Sequence, residues 1–304
     1  KAKVIKDSTE WEAARGALAE AKVLIDALLG TGLEGPVKGF LSTVIEDVNR
    51  LCRYATVVAV DTPSGLPSDA NQSAGEVVRA DYTITFTAPK VGQLVSSASE
   101  RVGRLIVRGI GTTPDLIEST SESNLRWIEP GEFRSLPWKR NPGAHKGDFG
   151  HALIVAGSVG KSGAASLSGW GAMRAGAGLV TVATASEVLP IVASNLPEIM
   201  TEPLLCTEAG SISARNLEYG RFSRVTKGKN VMALGPGLST DEDTQRFVRT
   251  VLEETGLPVI LDADGLNAFA GRVDELCKRR TRHLAITPHP GEMERLAGCT
   301  VAEV

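Results

Sequence analysis

Leu284-Ala285-Ile286-Thr287-Pro288-His289-Pro290-Gly291-Glu292-Met293 reads as a strand that ends, turns sharply through two prolines and enters a helix. Neither proline has an N–H to donate, and glycine alone takes a left-handed backbone cheaply. A histidine, a glycine and a glutamate packed into that turn therefore read as a ligand site. Some twenty residues earlier, Val259-Ile260-Leu261-Asp262-Ala263-Asp264-Gly265-Leu266-Asn267 has the same layout. An apolar strand again delivers carboxylates, a glycine and an amide to one end. Two such units in succession predict a parallel α/β sheet, whose ligands bind outside the carboxyl ends of the strands.

The pattern continues toward the amino terminus. Ser8 is the expected cap of a first helix running toward Ala21. Val23–Leu29, Ala55–Val60, Tyr82–Phe86 and Leu105–Val107 read as strands buried on both faces, with helical spacing near Leu41–Leu51. A stretch from Thr112 to Pro142, rich in proline and serine, reads as the linker into a second domain. Beyond it come strands His151–Ala156, Leu179–Ala183 and Val231–Leu234, with helices over Ala164–Ala175 and Asp241–Glu254. The 304 residues suit two domains at roughly 150 residues each.

The bulk properties exclude several classes of function. A net charge of −3 gives no electrostatic case for nucleic acid, and Lys278-Arg279-Arg280-Thr281-Arg282 reads as a solvated helix end. No apolar stretch approaches the ~20 residues of a membrane helix, and no secretory signal is apparent. The four cysteines lie far apart without a CxxC pair, as reduced thiols of a cytoplasmic protein do. His145 and His151 have no companions at zinc-ligand spacing. The opening at Lys1, without methionine, is expected of a processed start or of a piece of a longer protein.

Several motifs sit at predicted strand ends. Gly30-Thr31-Gly32-Leu33-Glu34-Gly35-Pro36 is either a phosphate cradle or an ordinary tight turn. Asp26 before it is a buried paired carboxylate, or a cation ligand together with oxygens such as Ser64. Asp61, before Thr62-Pro63-Ser64-Gly65, stands where a ribose-binding group or a general base would. Lys90 reads as an exposed lysine rather than a cleft residue. Gly157, Ser158, Gly160, Ser162 and Gly163 form a small-residue loop without P-loop spacing. Lys146 and Lys161 are phosphate contacts or surface lysines, and Gly235-Pro236-Gly237 allows close approach to the backbone.

These motifs, in this order, resemble the bifunctional NAD(P)H-hydrate repair enzyme family over essentially the whole chain. Asp26-Ala27-Leu28-Leu29-Gly30-Thr31-Gly32-Leu33, Val60-Asp61-Thr62-Pro63-Ser64-Gly65-Leu66 and Thr85-Phe86-Thr87-Ala88-Pro89-Lys90 are similar to its epimerase domain. His145-Lys146-Gly147-Asp148-Phe149-Gly150-His151, Gly176-Ala177-Gly178-Leu179-Val180-Thr181, Gly235-Pro236-Gly237-Leu238, the Asp262–Asn267 segment and the His289 turn are similar to its dehydratase domain.

The resemblance implies a Rossmann-like epimerase domain over residues 1–118 and a ribokinase-like dehydratase domain over 124–304. It implies potassium held by Asp26 and Ser64, and hydrated NAD(P)H bound by Gly30, Thr31, Gly32, Leu33, Glu34, Gly35 and Pro36. Asp61 would both bind the hydrate and act in catalysis. In the second domain Ala164, Gly237, His289, Pro290, Gly291 and Glu292 would contact the hydrate, with ADP or ATP and magnesium as cosubstrate. The implied protein is a cytoplasmic homo-oligomer without nucleic-acid or membrane partners. The family also has an Asn-Asn-Gly-Gly-Asp segment ahead of the region matched by Lys1, and a catalytic aspartate past Val304. By that comparison the chain is expected to be truncated at both ends. Two other readings stay open on the residues: a small-molecule kinase, since one fold hosts many chemistries, and a non-catalytic nucleotide-binding module.

Overall fold

Residues 3–33, 35–69, 75–120, 125–136, 139–301 and 303 are described by a computed structural model of the chain. The chain divides into two compact units, Lys1–Leu136 and Pro137–Val304.

In the first unit, helix α1 (Ser8–Ala14) is capped by the Asp7 side chain, which accepts from the Glu10 N–H. Asp7, one residue ahead of the expected Ser8, takes the cap. The sheet runs β1 (Val23–Asp26), β2 (Thr56–Val60), β3 (Tyr82–Phe86), β4 (Arg104–Arg108), in that order and parallel throughout. Helix α2 (Phe40–Leu51) links β1 to β2 and buries Val44, Ile45 and Val48 against Val57 and Ala59. Helices α3 (Val91–Val95) and α4 (Pro114–Thr120) follow β3 and β4. Alternation along the strands buries Val57, Ala59, Thr83 and Thr85 on one face. On the other face Val23 and Ile25 are each 60% exposed. The expectation of strands buried on both faces therefore fails for β1, which is also shorter than the apolar run suggested.

The second unit has six parallel strands: β5 (His151–Val155), β6 (Leu179–Ala185), β7 (Met200–Leu204), β8 (Val231–Leu234), β9 (Val259–Leu261) and β10 (Leu284–Ile286). Their order is β10-β9-β8-β5-β6-β7. The chain starts in the middle of the sheet at β5, builds outward through β6 and β7, then returns to the other side of β5. Edge strand β7 escaped the sequence reading because Thr201, Glu202 and Pro203 interrupt its apolar run; proline is tolerated there because one edge needs no ladder donor.

Helices α5 (Ser162–Arg174) and α6 (Leu189–Asn195) pack around Ile154, Val180 and Val182 on one face. On the opposite face lie α7 (Arg221–Thr226) and α8 (Glu242–Glu254). Asp241 caps α8 by accepting from Asp243 N and Thr244 N, and Phe247, Val248, Val251 and Leu252 form its buried stripe. Phe247 meets Phe222 edge to face at 5.0 Å. Burial of a side chain of that size contributes about 1.5–3 kcal/mol. Short α9 (Asp264–Asn267) follows β9, and α10 (Pro290–Ala297) follows β10. No helix among the described residues is long and apolar enough to cross a membrane.

Candidate functional site

Each unit gathers polar groups at the carboxyl ends of its strands. In the first unit β1 ends at Asp26, buried at 2% exposure, and the neighbouring β2 leads to Ser64, which is fully buried. Ser64 donates to Asp26 twice: Oγ to Oδ1 at 2.6 Å and N to Oδ2 at 2.7 Å. The Leu29 N–H donates to Ser64 Oγ at 2.9 Å, which ties the start of the glycine loop to the same point. Burial raises the Asp26 pKa, and the hydrogen bonds from Ser64 and Leu28 only partly offset it. No lysine, arginine or histidine among the described residues forms an ion pair with this carboxylate. A buried carboxylate lacking a cationic partner is costly. The hard oxygens beside it, from Ser64 and the Leu29 carbonyl, are of the kind an alkali cation takes. Among the described residues no group of three or more His, Cys, Asp and Glu side chains could hold a metal ion.

The loop after Asp26 is open. A Cβ at Gly30, Gly32 or Gly35 would meet no atom within 4 Å, so packing within the unit does not demand glycine at these positions. Gly30, Thr31, Gly32 and Pro36 are exposed, Leu33 and Gly35 half-buried. Glu34 lies outside the described residues.

Asp61 follows β2 in a left-handed conformation, φ 68°. Its Oδ1 accepts from Lys90 Nζ at 2.7 Å, Thr85 Oγ1 at 3.1 Å and Phe86 N at 3.3 Å. Burial acts to raise its pKa but is outweighed by the Lys90 hydrogen bond, the Phe86 N–H, the Lys90 charge and the Thr85 hydroxyl, so the carboxyl sits below its ordinary value. Lys90 is thus not the exposed residue expected. The turn Thr87-Ala88-Pro89 carries it back over the strand end, where its side chain is 19% exposed. The sequence reading also missed Thr85 and Gln93. Gln93 Oε1 accepts from the Lys90 N–H, but lysine cannot act as a capping acceptor, so the sequence carried no capping-box signal here.

In the second unit the strand order reverses between β5 and β8, and in open α/β sheets ligands bind outside the carboxyl ends of the strands at such a switch point. The loops after these two strands are stitched together: Gly157 N donates to Pro236 O at 2.9 Å, and Ser158 Oγ to Gly237 O at 2.8 Å. Gly237, at φ 66°, lies against the start of α5. A methyl there would stand 2.8 Å from Ala164 Cβ and 3.0 Å from Lys161 O. Gly237 and Ala164 are thereby brought together.

Asp264, after β9, fixes the neighbouring loops. Its Oδ2 accepts from Lys161 Nζ and from Ser239 N, both at 2.9 Å, and its Oδ1 accepts from Asn267 Nδ2 at 3.2 Å. Burial works to raise its pKa and is overcome by these donors, led by Lys161, so the carboxyl is held below its ordinary value. Asn267 Oδ1 in turn accepts from Arg295 Nε on α10 at 3.0 Å. Lys161 therefore binds a carboxylate in this structure. Lys146 lies in a short 3-10 turn ahead of β5, and none of the loop contacts around Gly237 involves its side chain.

His289 caps α10. Its Nδ1 accepts from Gly291 N at 3.1 Å and from Glu292 N at 3.4 Å, while His289 N donates to Glu292 Oε2 at 3.0 Å. Its Nε2 faces Glu292 Oε1 at 3.3 Å. The ring remains 63% exposed, whereas Glu292 is buried. Pro290 and Gly291 form the first turn of the helix. The preceding Thr287 donates to Asp262 Oδ1 at 2.8 Å, which joins the ends of β9 and β10.

Comparison with known proteins matches residues 152–303 to the family model NAD(P)H-hydrate dehydratase, and residues 2–92 to the model YjeF-related protein N-terminus. The bifunctional NAD(P)H-hydrate repair enzyme Nnr of Thermofilum pendens is 39% identical over 282 residues, 93% of this chain and 52% of that protein. The enzyme of the same name from Moorella thermoacetica is 39% identical over 290 residues, 95% of this chain and 53% of that protein. Among solved structures, an ADP/ATP-dependent NAD(P)H-hydrate dehydratase from Bacillus subtilis, co-crystallised with ATP/Mg2+, is 37% identical. It covers 54% of this chain and 53% of its own, with a TM-score of 0.43. The chain spans about half the length of the curated relatives it matches.

Proposed function

Because this chain belongs to the NAD(P)H-hydrate dehydratase family and carries a YjeF-related unit ahead of that region, we propose that it serves the repair of hydrated NAD(P)H. The first unit would interconvert the R and S hydrates, and the second would take part in nucleotide-dependent dehydration of the S form. The observation that carries this reading is the joining of the loops after β5 and β8 at the switch point, where Ser158 bonds Gly237 and Gly237 packs against Ala164 and Lys161.

The chemistry asks for positioning more than for a reactive side chain. Hydroxide leaves a hydrated nicotinamide ring poorly at neutral pH, and phosphorylation of that oxygen turns it into a leaving group. Ala164 and Gly237 would contact the ring on one side, and the capped turn from His289 through Pro290, Gly291 and Glu292 would contact it on the other. Rigid placement of this kind is worth several orders of magnitude in rate. ADP or ATP with magnesium is the proposed phosphoryl source. In the first unit the loop Gly30–Pro36 would take the phosphates of the hydrate. Asp61, kept ionised, would accept a proton or a hydrogen bond from it. Asp26 and Ser64 would hold potassium, which would supply positive charge beside those phosphates. A cytoplasmic homo-oligomer is the form proposed for the protein.

The test is a mixture of R and S hydrates of NADH, supplied with ADP or ATP. Recovery of NADH absorbance that requires nucleotide, with R consumed faster than it epimerises unaided, is the expected result for a protein that carries these two units together with the family's segments expected ahead of Lys1 and past Val304. Phosphate transfer to an added small alcohol, without recovery of NADH, would make the second unit a small-molecule kinase instead.

A further inference from the structure

We infer that Lys90 is the positioning residue of the first unit: it acts through Asp61, holding that carboxylate in one orientation with a single oxygen left for the hydrate. The inference rests on the epimerase reading above and deepens it by adding a residue that reading does not use.

The geometry carries it in three steps. First, Lys90 spends its charge inward. Nζ lies 2.7 Å from Asp61 Oδ1, 2.9 Å from Thr85 Oγ1, 2.9 Å from Phe86 O and 3.3 Å from Ala88 O. An ammonium has three protons to donate, and these four acceptors claim them all. No proton of Lys90 is left over to give to a substrate, so a general-acid role does not suit it.

Second, Asp61 is held at every polar atom but one. Its N–H donates to Ile84 O at 2.8 Å, and its carbonyl accepts from Gln93 Nε2 at 2.6 Å. Its Oδ1 has the three donors described above. Among the described residues no donor reaches Oδ2. A side chain clamped through one oxygen presents the other in a fixed direction, and preorganisation of this sort lets a weak acceptor bind or react well.

Third, the clamp sits where the backbone needs holding. Asp61 and Thr87 both adopt left-handed conformations, at φ 68° and 67°, which residues with a Cβ rarely occupy. Such outliers persist only where the surroundings over-determine them. Lys90 and Gln93 supply that constraint, since they join the end of β2 to the turn after β3. The Lys90 N–H also donates to Gln93 Oε1 at 2.9 Å, so the two side chains are organised together.

The experiment is a double-mutant cycle on R-to-S epimerisation, using Lys90→Met, Asp61→Asn and the pair. Lys90→Met keeps the length of the side chain and removes its donors. Its kcat/KM should fall by about 100-fold, the scale of a misplaced group. In the Asp61→Asn background the same change should have almost no further effect, because there is no carboxylate left to place. A lysine serving only general stability would instead multiply its own loss onto that of Asp61→Asn. Melting of each variant separates misfolding from misplacement, and Lys90→Arg, which keeps the charge, should restore part of the rate. Equal, multiplicative losses in the cycle, or unchanged kcat/KM for Lys90→Met, would overturn the inference while leaving the epimerase reading intact. Absence of epimerisation by the unaltered protein would overturn that reading, and this inference with it.

Discussion

Gly237→Ala tests the packing of the candidate site most directly. The new methyl would stand 2.8 Å from Ala164 Cβ and 3.0 Å from both Lys161 Cβ and Lys161 O. Two of these atoms belong to short or backbone groups that cannot swing aside. The backbone at 237 is also left-handed, φ 66°, which costs a residue with a Cβ about 1–2 kcal/mol. Overpacking adds about 1–3 kcal/mol. The combined loss is about 2–5 kcal/mol, which lowers the melting temperature of a unit this size by roughly 5–15 °C. Calorimetry that resolves the two units should show the loss in the second one alone. The control is Gly32→Ala, where no atom lies within 4 Å and no positive φ is required, and where melting should not move. A second control relieves the contact: Ala164→Gly combined with Gly237→Ala should recover part of the overpacking cost, less about 1 kcal/mol for glycine inside a helix. An unchanged melting temperature for Gly237→Ala would mean that the Gly237 loop is not seated on α5, and the packing described here would be wrong.

Asp26→Asn should abolish any stabilisation by potassium. The unaltered protein should gain about 2.7 kcal/mol at a concentration one hundred times the dissociation constant, read by melting in potassium against sodium chloride; equal salt responses would remove the cation from this site. Asp264→Asn should cost about 1–2 kcal/mol, a modest figure because Lys161 is half exposed. The Asp264 pKa is depressed in the fold, so its stabilisation is present above the ordinary carboxylate value and lost as pH falls through the lower folded one. The acid limb of the stability profile should therefore flatten in this variant, and a parallel limb would refute the assignment. His289→Asn should keep the cap on α10 and leave stability within about 0.5 kcal/mol, whereas His289→Ala should lose about 1 kcal/mol. If the ring itself meets the hydrate, both variants should lose dehydration, and retained turnover in His289→Asn would reduce this histidine to a cap.

How much of this was legible in the sequence depends on the distance between the groups concerned. Apolar runs closed by Asp, Gly or Pro predicted the strands ending near Asp61, Gly235, Asp262 and Thr287, and placed their polar residues at carboxyl ends, whereas the first run was carried past Asp26 to Leu29. That information is local, because a strand's end and the turn after it are set by a few adjacent residues. The helix expected over Asp241–Glu254 is found as α8, Glu242–Glu254, for the same reason. The cap of α1 was misplaced by one residue, since Asp7 and Ser8 are both good caps and only the backbone decides between them.

What the sequence alone determined, then, is the class of fold, all the strands but β7 and most of the polar residues at their ends. The tertiary structure decided which ends are neighbours. Buried parallel strands resemble one another, and nothing in their composition says that β8 returns beside β5 to place Gly237 on Ala164. Lys161 and Asp264 meet across 103 residues, and Lys90 finds Asp61 across 29. Lysine looks like a surface residue until a strand order supplies the carboxylate that draws it in. The exposed flank of β1 was hidden for the complementary reason: an apolar strand reads the same whether or not anything covers it, because covering belongs to the packing of elements distant in the chain.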